Sequence, residues 1–217
     1  PLTYGRLGGT DVIFLARHGY GHTFAPHEIN YRANLWALRE KGAGRIVSVC
    51  TVGGITPAFL RPGTLAVPDQ ILDYTWGRKS TYFDGAEQPV VHVDFTHPYD
   101  AGTAALIAGA ASAAGVAVVE GGTYACMQGP RLETAAEIDR LERDGADLVG
   151  MTGMPEAALA RELELPYASL ALVANGAAGR SGSEAGISVE EIGRVMQESM
   201  GRVRAVVIEV ARRHGHP

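Results

Sequence analysis

Short apolar, β-branched runs alternate along the chain with stretches whose apolar positions repeat every three to four residues. The runs at 11–16, 45–50, 64–67, 90–93, 116–120, 123–127, 147–150 and 167–174 predict strands. The stretches 28–41, 101–114, 132–144, 155–164 and 189–213 predict helices. In the third of these, Leu132, Ala135, Ala136, Ile138 and Leu141 form an apolar stripe at helical spacing. Strand–helix alternation predicts an α/β fold, layered around a largely parallel, buried sheet. No internal repeat or linker-like shift in composition divides the chain, so residues 1–217 are expected to form a single domain. The most apolar stretch, 104–119, falls short of the ~20 residues a membrane span needs and is rich in Ala and Gly. It predicts a closely packed helix followed by a buried strand. The Gly-, Ala- and Ser-rich stretch 176–186 is expected to be a mobile loop.

Composition narrows the function classes. A formal net charge of −5 over 217 residues offers no broad basic surface for nucleic acid or an anionic membrane. An anionic ligand would therefore be held by local groups. Cys50 and Cys126 are too few for a disulfide framework and match no metal-ligand spacing, so a reduced, cytoplasmic setting is expected. No basic-then-apolar leader is read at the start of the chain.

Several strand ends carry candidate chemistry. The segment from Gly122 to Thr134 reads as a strand, a Gln128-Gly129-Pro130 stop and a helix start, with Glu133 at the handover. In open α/β sheets ligands bind at that edge, and an ionised carboxylate there accepts hydrogen bonds from ligand N–H groups. An equal alternative is that Glu133 lies in the first helical turn, serving the macrodipole beside Pro130. Arg17, His18 and His22 cluster on a Gly-flexed turn after a strand, which suits an oxyanion such as phosphate. Zinc held by His18, His22 and His27 is disfavoured, because Gly19 and Gly21 spoil a helical His face and Arg17 repels a cation. Cys50-Thr51-Val52-Gly53-Gly54 is another strand running into glycines, whose amides can cradle an anion. Met151-Thr152 leads from a strand into a helix with acidic Glu156, and Asn175 closes an apolar strand in the same way as Glu133. Neither a Gly-x-Gly-x-x-Gly fingerprint nor a Gly-x-Ser-x-Gly elbow occurs, which disfavours nicotinamide and serine-hydrolase chemistry.

Taken together these segments resemble the trimeric purine nucleoside phosphorylase and methylthioadenosine phosphorylase family, nearest its methylthioinosine-cleaving branch. The resemblance spans about residues 14–192. It rests on Ala-Arg-His-Gly at 16–19, Pro-His-Glu-Ile-Asn-Tyr-Arg-Ala-Asn-Leu-Trp-Ala at 26–37, and the segments 128–137 and 151–156. It implies a mixed central β-sheet flanked by helices and a homotrimer. It also implies phosphorolysis, in which inorganic phosphate attacks C1′ of a nucleoside and the free base leaves. Phosphate is then a co-substrate, and no cofactor or metal is implied. By resemblance Arg17, His18, Thr51 and Thr152 hold phosphate, His22 lies near them, and Met151 lies against the ribose.

At the base, the resemblance makes Glu133 and Asn175 the readers of a 6-oxopurine, with Leu132 beside them. Asn can donate to O6 and accept from a protonated N7, while Glu133 accepts from N1–H. Relatives that prefer adenine carry Asp at position 175 and again two residues on, where this chain has Ala177. Apolar Ile192 stands where relatives place a His for the 5′-hydroxyl, which favours S-methyl-5′-thioinosine. His92 matches a residue that reaches the neighbouring subunit's site. General inosine/guanosine phosphorolysis, methylthioadenosine phosphorolysis and non-catalytic nucleoside binding are the alternatives. The last is motivated by the expected absence from this sequence of the family's N-terminal Gly-Gly-Thr-Gly phosphate-loop segment. Gly8-Gly9-Thr10 looks like it but stands too close to Arg17, and is expected to be a hairpin turn. Cys50-Thr51 also departs from the family's usual Asn-Ala.

Overall fold

The computed structural model describes residues 1–85 and 89–214. An N-terminal hairpin pairs β1 (Leu2–Leu7) with β2 (Thr10–Leu15). Gly8 and Gly9 turn it with φ of +60° and +93°, as a two-residue loop of this hand requires. The glycines at 8 and 9 are thus a turn, as the sequence suggested. The chain continues through α1 (Tyr31–Glu40), β3 (Ile46–Gly54), β4 (Leu65–Val67), β5 (Gln70–Asp73) and α2 (Ala101–Ala113). It then forms β6 (Val118–Glu120), β7 (Thr123–Cys126), α3 (Ala135–Arg143), β8 (Leu148–Gly150), α4 (Gly153–Glu162), β9 (Tyr167–Gly176) and α5 (Val189–His214).

Seven strands form one sheet in the order β5-β7-β8-β3-β9-β4-β6. The pairs β5–β7, β7–β8, β3–β9 and β4–β6 are parallel, whereas β3–β8 and β4–β9 are antiparallel. The sheet is therefore mixed, as the resemblance implied and as the simple alternation of elements did not. β9 is almost wholly buried, and α2 and α5 pack against it and against each other. Leu65, Ile107, Leu170 and Val206 show 0% exposure at this junction, so burial of these faces is the main stabilising term.

Two strands escaped the sequence pattern and one expected strand is absent. In Leu2–Leu7 the apolar side chains Leu2, Tyr4 and Leu7 do not keep a strict two-residue alternation, so periodicity missed it; its partner β2 makes it a strand. Gln70–Asp73 is short and is defined by pairing with β7. Conversely, residues 90–93 have the composition of a strand but form none. Val90 is 61% exposed, and no strand edge among the described residues pairs with this segment. β-branched composition suits a pleated surface only where a neighbouring strand supplies one.

β3 sits in the middle of the sheet yet pairs with β8 only at Gly53 and Gly54. Its residues 46–52 pair on one side with β9, and on the other they face an open groove. Val49 is accordingly 38% exposed although it lies on a central strand. Two side chains tie the 177–186 loop to the rest of the fold. Arg180 bonds Asp139 and Glu142 of α3 at 2.9 and 2.7 Å, and Ser183 Oγ donates to the Gly176 carbonyl at 2.6 Å.

Candidate active site

A cavity of about 1480 Å³ opens along the free side of β3, between the β2 end, α5 and the turns after β7 and β8. It gathers, from distant parts of the chain, Arg17, His18, His22, Thr51, Leu132, Glu133, Met151, Thr152, Asn175, Ala177 and Ile192. His92 is the predicted site residue outside it; that residue lies exposed on the irregular 90–93 segment.

The turn after β2 delivers Arg17 into a buried polar cluster. Its Nη1 donates to Thr152 Oγ1 at 2.8 Å and its Nη2 to Ser48 Oγ at 2.6 Å. Its Nε lies 3.3 Å from Glu156, whose side chain is 7% exposed. Glu156 Oε2 also accepts from Ser48 Oγ at 3.1 Å and from the Tyr167 hydroxyl at 2.8 Å. Burial works against the charge of Arg17, but the Glu156 carboxylate more than offsets it and lifts the guanidinium above its ordinary value. Burial likewise pushes the Cys50 thiol up to about 12, so it stays protonated beside this cation. The site is thus a permanent, oriented cation with two hydroxyls against it. Ser48 and Glu156 supply the polar support; of the two, the sequence alone singled out only Glu156, as the acid opening a helix, and gave it no partner. Both follow a recognisable signal, being polar residues inside otherwise apolar, buried segments.

His18 stands next to Arg17, and its ring stacks on His22 with centroids 4.2 Å apart. Its Nδ1 lies 2.9 Å from the Phe24 carbonyl, which requires an N–H there and leaves Nε2 facing away as an acceptor when the ring is neutral. Burial first, and then His22 and Arg17, hold the His18 pKa below its usual value. Among the described residues no three His, Cys, Asp or Glu side chains gather as metal ligands, and His27 pairs instead with Glu28 at 3.3 Å.

The two readings of Glu133 separate cleanly. Helix α3 begins at Ala135, with Thr134 as its N-cap and Glu137 completing a capping box. Thr134 Oγ1 accepts from the Glu137 amide at 3.1 Å, and Glu137 Oε2 accepts from the Thr134 amide at 2.8 Å. Arg131 also pairs with Glu137, at 2.7 Å. Glu137 therefore does the work at the helix start, held well below the usual range at about 2 by Arg131 and the Thr134 amide. Glu133 precedes the cap and lines the cavity instead. Burial raises its pKa above the ordinary carboxylate value.

Asn175 ends β9 opposite Gly53, and its Nδ2 donates to the Gly176 carbonyl at 2.7 Å, which fixes the amide plane. Met151 and Thr152 leave β8 over Tyr124, whose hydroxyl accepts from the Thr152 amide at 3.2 Å. Gly129 is required beside them. At φ +63°, a Cβ there would sit 2.5 Å from Met151 Sδ. The cavity wall is thereby a close contact between the turns that follow β7 and β8. Ile192, in the first turn of α5, and buried Ala177 close the apolar side.

Comparison with known proteins gives the family. The Phosphorylase superfamily profile matches residues 1–212. The chain belongs to that superfamily. It is an enzyme of the nucleoside phosphorylase family. It is 52% identical over 209 residues to a probable S-methyl-5′-thioinosine phosphorylase of Pseudomonas syringae pv. tomato, covering 96% of this chain and 84% of that one. A 6-oxopurine nucleoside phosphorylase of Pyrococcus furiosus is 47% identical, with 91% of this chain and 75% of that one covered. In structure the chain is similar to a Schistosoma mansoni methylthioadenosine phosphorylase in complex with adenine. That match has a TM-score of 0.95 at 30% identity and covers 100% of this chain and 81% of that one. No described helix of this phosphorylase-family chain is long and apolar enough to cross a membrane.

Proposed function

We propose that this phosphorylase cleaves 6-oxopurine nucleosides, with S-methyl-5′-thioinosine as the preferred substrate. Phosphate and nucleoside give hypoxanthine and 5-methylthioribose 1-phosphate. The observation that carries this reading is the cavity itself, lined at once by an oriented cation, a carboxylate and an amide. Inorganic phosphate sits against Arg17, His18, Thr152 and the Thr51 main chain, with His22 nearby. His18 with a bare Nε2 accepts a hydrogen bond donated by the P–OH of a monohydrogen phosphate. Phosphate attacks C1′ on the face turned toward Arg17, the C1′–N9 bond breaks with its electrons moving onto the purine, and the proton that the monohydrogen phosphate gives up on becoming an ester is returned through solvent to purine N7.

Stabilising that charge better than the ground state is the catalytic task. Asn175 meets O6 and N7–H, and Glu133 accepts from N1–H. A 6-aminopurine would instead put an unprotonated N1 against the carboxylate and a donor against the Asn donor. Mispaired buried polar groups cost about 1–3 kcal/mol each, enough to set a preference. Met151 packs against the ribose, Leu132 and Ala177 border the base, and Ile192 favours a methylthio group over a hydroxyl. Phosphate is a co-substrate, and the reaction draws on no metal or organic cofactor. We assign the enzyme to the cytoplasm as a homotrimer in which His92 reaches the neighbouring site.

Phosphate-dependent base release from methylthioinosine, inosine and methylthioadenosine, measured side by side, tests this. Fastest release is expected from methylthioinosine. Faster adenine release sinks the roles of Asn175 and Glu133, and a preference for inosine sinks that of Ile192. No release from any of the three sinks the reaction.

A further inference from the structure

Arg78 does not line the cavity, yet it makes more hydrogen bonds than any site residue. It lies on the stretch after β5, where the sequence pattern singled out nothing. Its Nη1 donates to the Met151 carbonyl at 2.9 Å and the Met154 carbonyl at 2.6 Å. Its Nη2 donates to the Gln128 carbonyl at 2.8 Å and the Met127 carbonyl at 3.3 Å. Its Nε donates to Gln128 Oε1 at 3.2 Å, an oxygen that also accepts from the Trp76 amide at 3.1 Å. The Tyr31 ring covers the guanidinium, 5.6 Å from centroid to Cζ.

These partners are uncharged oxygens, and the four main-chain carbonyls come from two segments only. Met127 and Gln128 follow β7 and lead to Glu133, while Met151 and Met154 follow β8 and flank Thr152. Those are the two turns that touch at Gly129 and Met151. Four carbonyl dipoles converging on one point repel one another unless a cation stands between them, and only a planar fork of N–H groups reaches all four together. We propose that Arg78 is a positioning residue for the nucleoside half of the site, holding the base-reading turn and the ribose-facing turn in register. The proposal rests on the nucleoside reading given above. The phosphate half shares Thr152 with that turn but depends on the Arg17 side chain, which Ser48 and Glu156 also hold from outside it.

The test compares Arg78→Lys with the unmodified chain, varying nucleoside and phosphate independently. A lysine keeps the charge but cannot fork. Small misplacements of a reacting group can cost up to about 100-fold in rate. The expected result is a 10- to 100-fold fall in kcat/KM for methylthioinosine, carried by a higher nucleoside KM, with the phosphate KM within about twofold. Equal changes in both KM values, or a lowered melting temperature with unchanged KM values, overturns the positioning role. If the unmodified chain releases no base, the phosphorylase reading is what fails. Hypoxanthine affinity of the two proteins, read by tryptophan fluorescence, then decides Arg78 alone. Weaker binding in Arg78→Lys supports the proposal, and equal binding overturns it.

Discussion

Replacing Glu156 by Gln tests whether the Arg17 cluster is a coupled charge pair or a set of independent hydrogen bonds. Glu156 and Arg17 have side chains 7% and 13% exposed, so neither charge can turn to water when its partner goes. Gln keeps one acceptor, but it faces the Ser48 and Tyr167 hydroxyls and the guanidinium with a new donor group. Breaking a buried pair of this kind costs about 3–5 kcal/mol. For a domain of this size each kcal/mol moves the midpoint by about 2–4 °C, so melting is expected to fall by roughly 6–20 °C. Arg17→Met strands the carboxylate and should lose stability too, but less at acid pH, because a carboxyl can be neutralised by protonation and a guanidinium cannot. The Glu156→Gln, Arg17→Met double variant removes both charges, so neither is left buried without its counter-charge. It should regain most of the loss, with a coupling energy of about 2 kcal/mol or more in a thermal or urea double-mutant cycle. Phosphate-dependent turnover should stay lost in all variants that lack Arg17. Additive single effects, that is, an Arg17/Glu156 cycle with no coupling, would refute the reasoning.

Glu133→Gln separates function from stability by pH. Burial raises the Glu133 pKa, so the native state binds that proton more tightly than the unfolded chain does. Its contribution is therefore most favourable below the ordinary carboxylate value and is lost as pH rises through the raised native value. At pH 7 the Gln variant should melt higher than the parent, with the difference gone near pH 4, while kcat/KM for methylthioinosine falls about 10- to 100-fold. A variant that melts lower at pH 7 contradicts this. In the parent, kcat/KM should decline on the acid side at a pH above that of an ordinary glutamate, as Glu133 takes up its proton; a flat profile from pH 7 to 4.5 speaks against its role. Asn175→Asp should move the ratio of methylthioadenosine to methylthioinosine turnover upward by at least about tenfold, since one carboxylate then accepts from the 6-amino group. An unchanged ratio would mean that another group reads position 6 of the purine.

Much of the fold lay in the local pattern. The helices at 101–114 and 189–213 were predicted to within about a residue, because α2 and α5 carry long apolar faces that burial against β9 then uses. The two residues proposed to read the base were legible as residue types, Asn175 closing β9 and Glu133 standing in the turn between β7 and α3. What failed was information held by pairing. Residues 90–93 have the composition of a strand without a partner, while Leu2–Leu7 is a strand that only its hairpin partner reveals. The direction of neighbouring strands was equally hidden, because hydrophobic alternation is the same for parallel and antiparallel neighbours.

The sequence by itself determined which chemistry the chain carries: a cation after β2, a carboxylate after β7, an amide at the end of β9 and an apolar turn of α5. Each depends on residue type and local spacing, which one segment can encode. Only the tertiary structure decided which acid serves which purpose. Glu137 caps α3, Glu156 holds Arg17, and Glu133 is left facing the cavity. All three are glutamates at or near helix starts, alike in sequence. Partners from elsewhere in the fold set them apart, since the energy of a carboxylate depends on what lies within hydrogen-bond reach and on how much water is excluded.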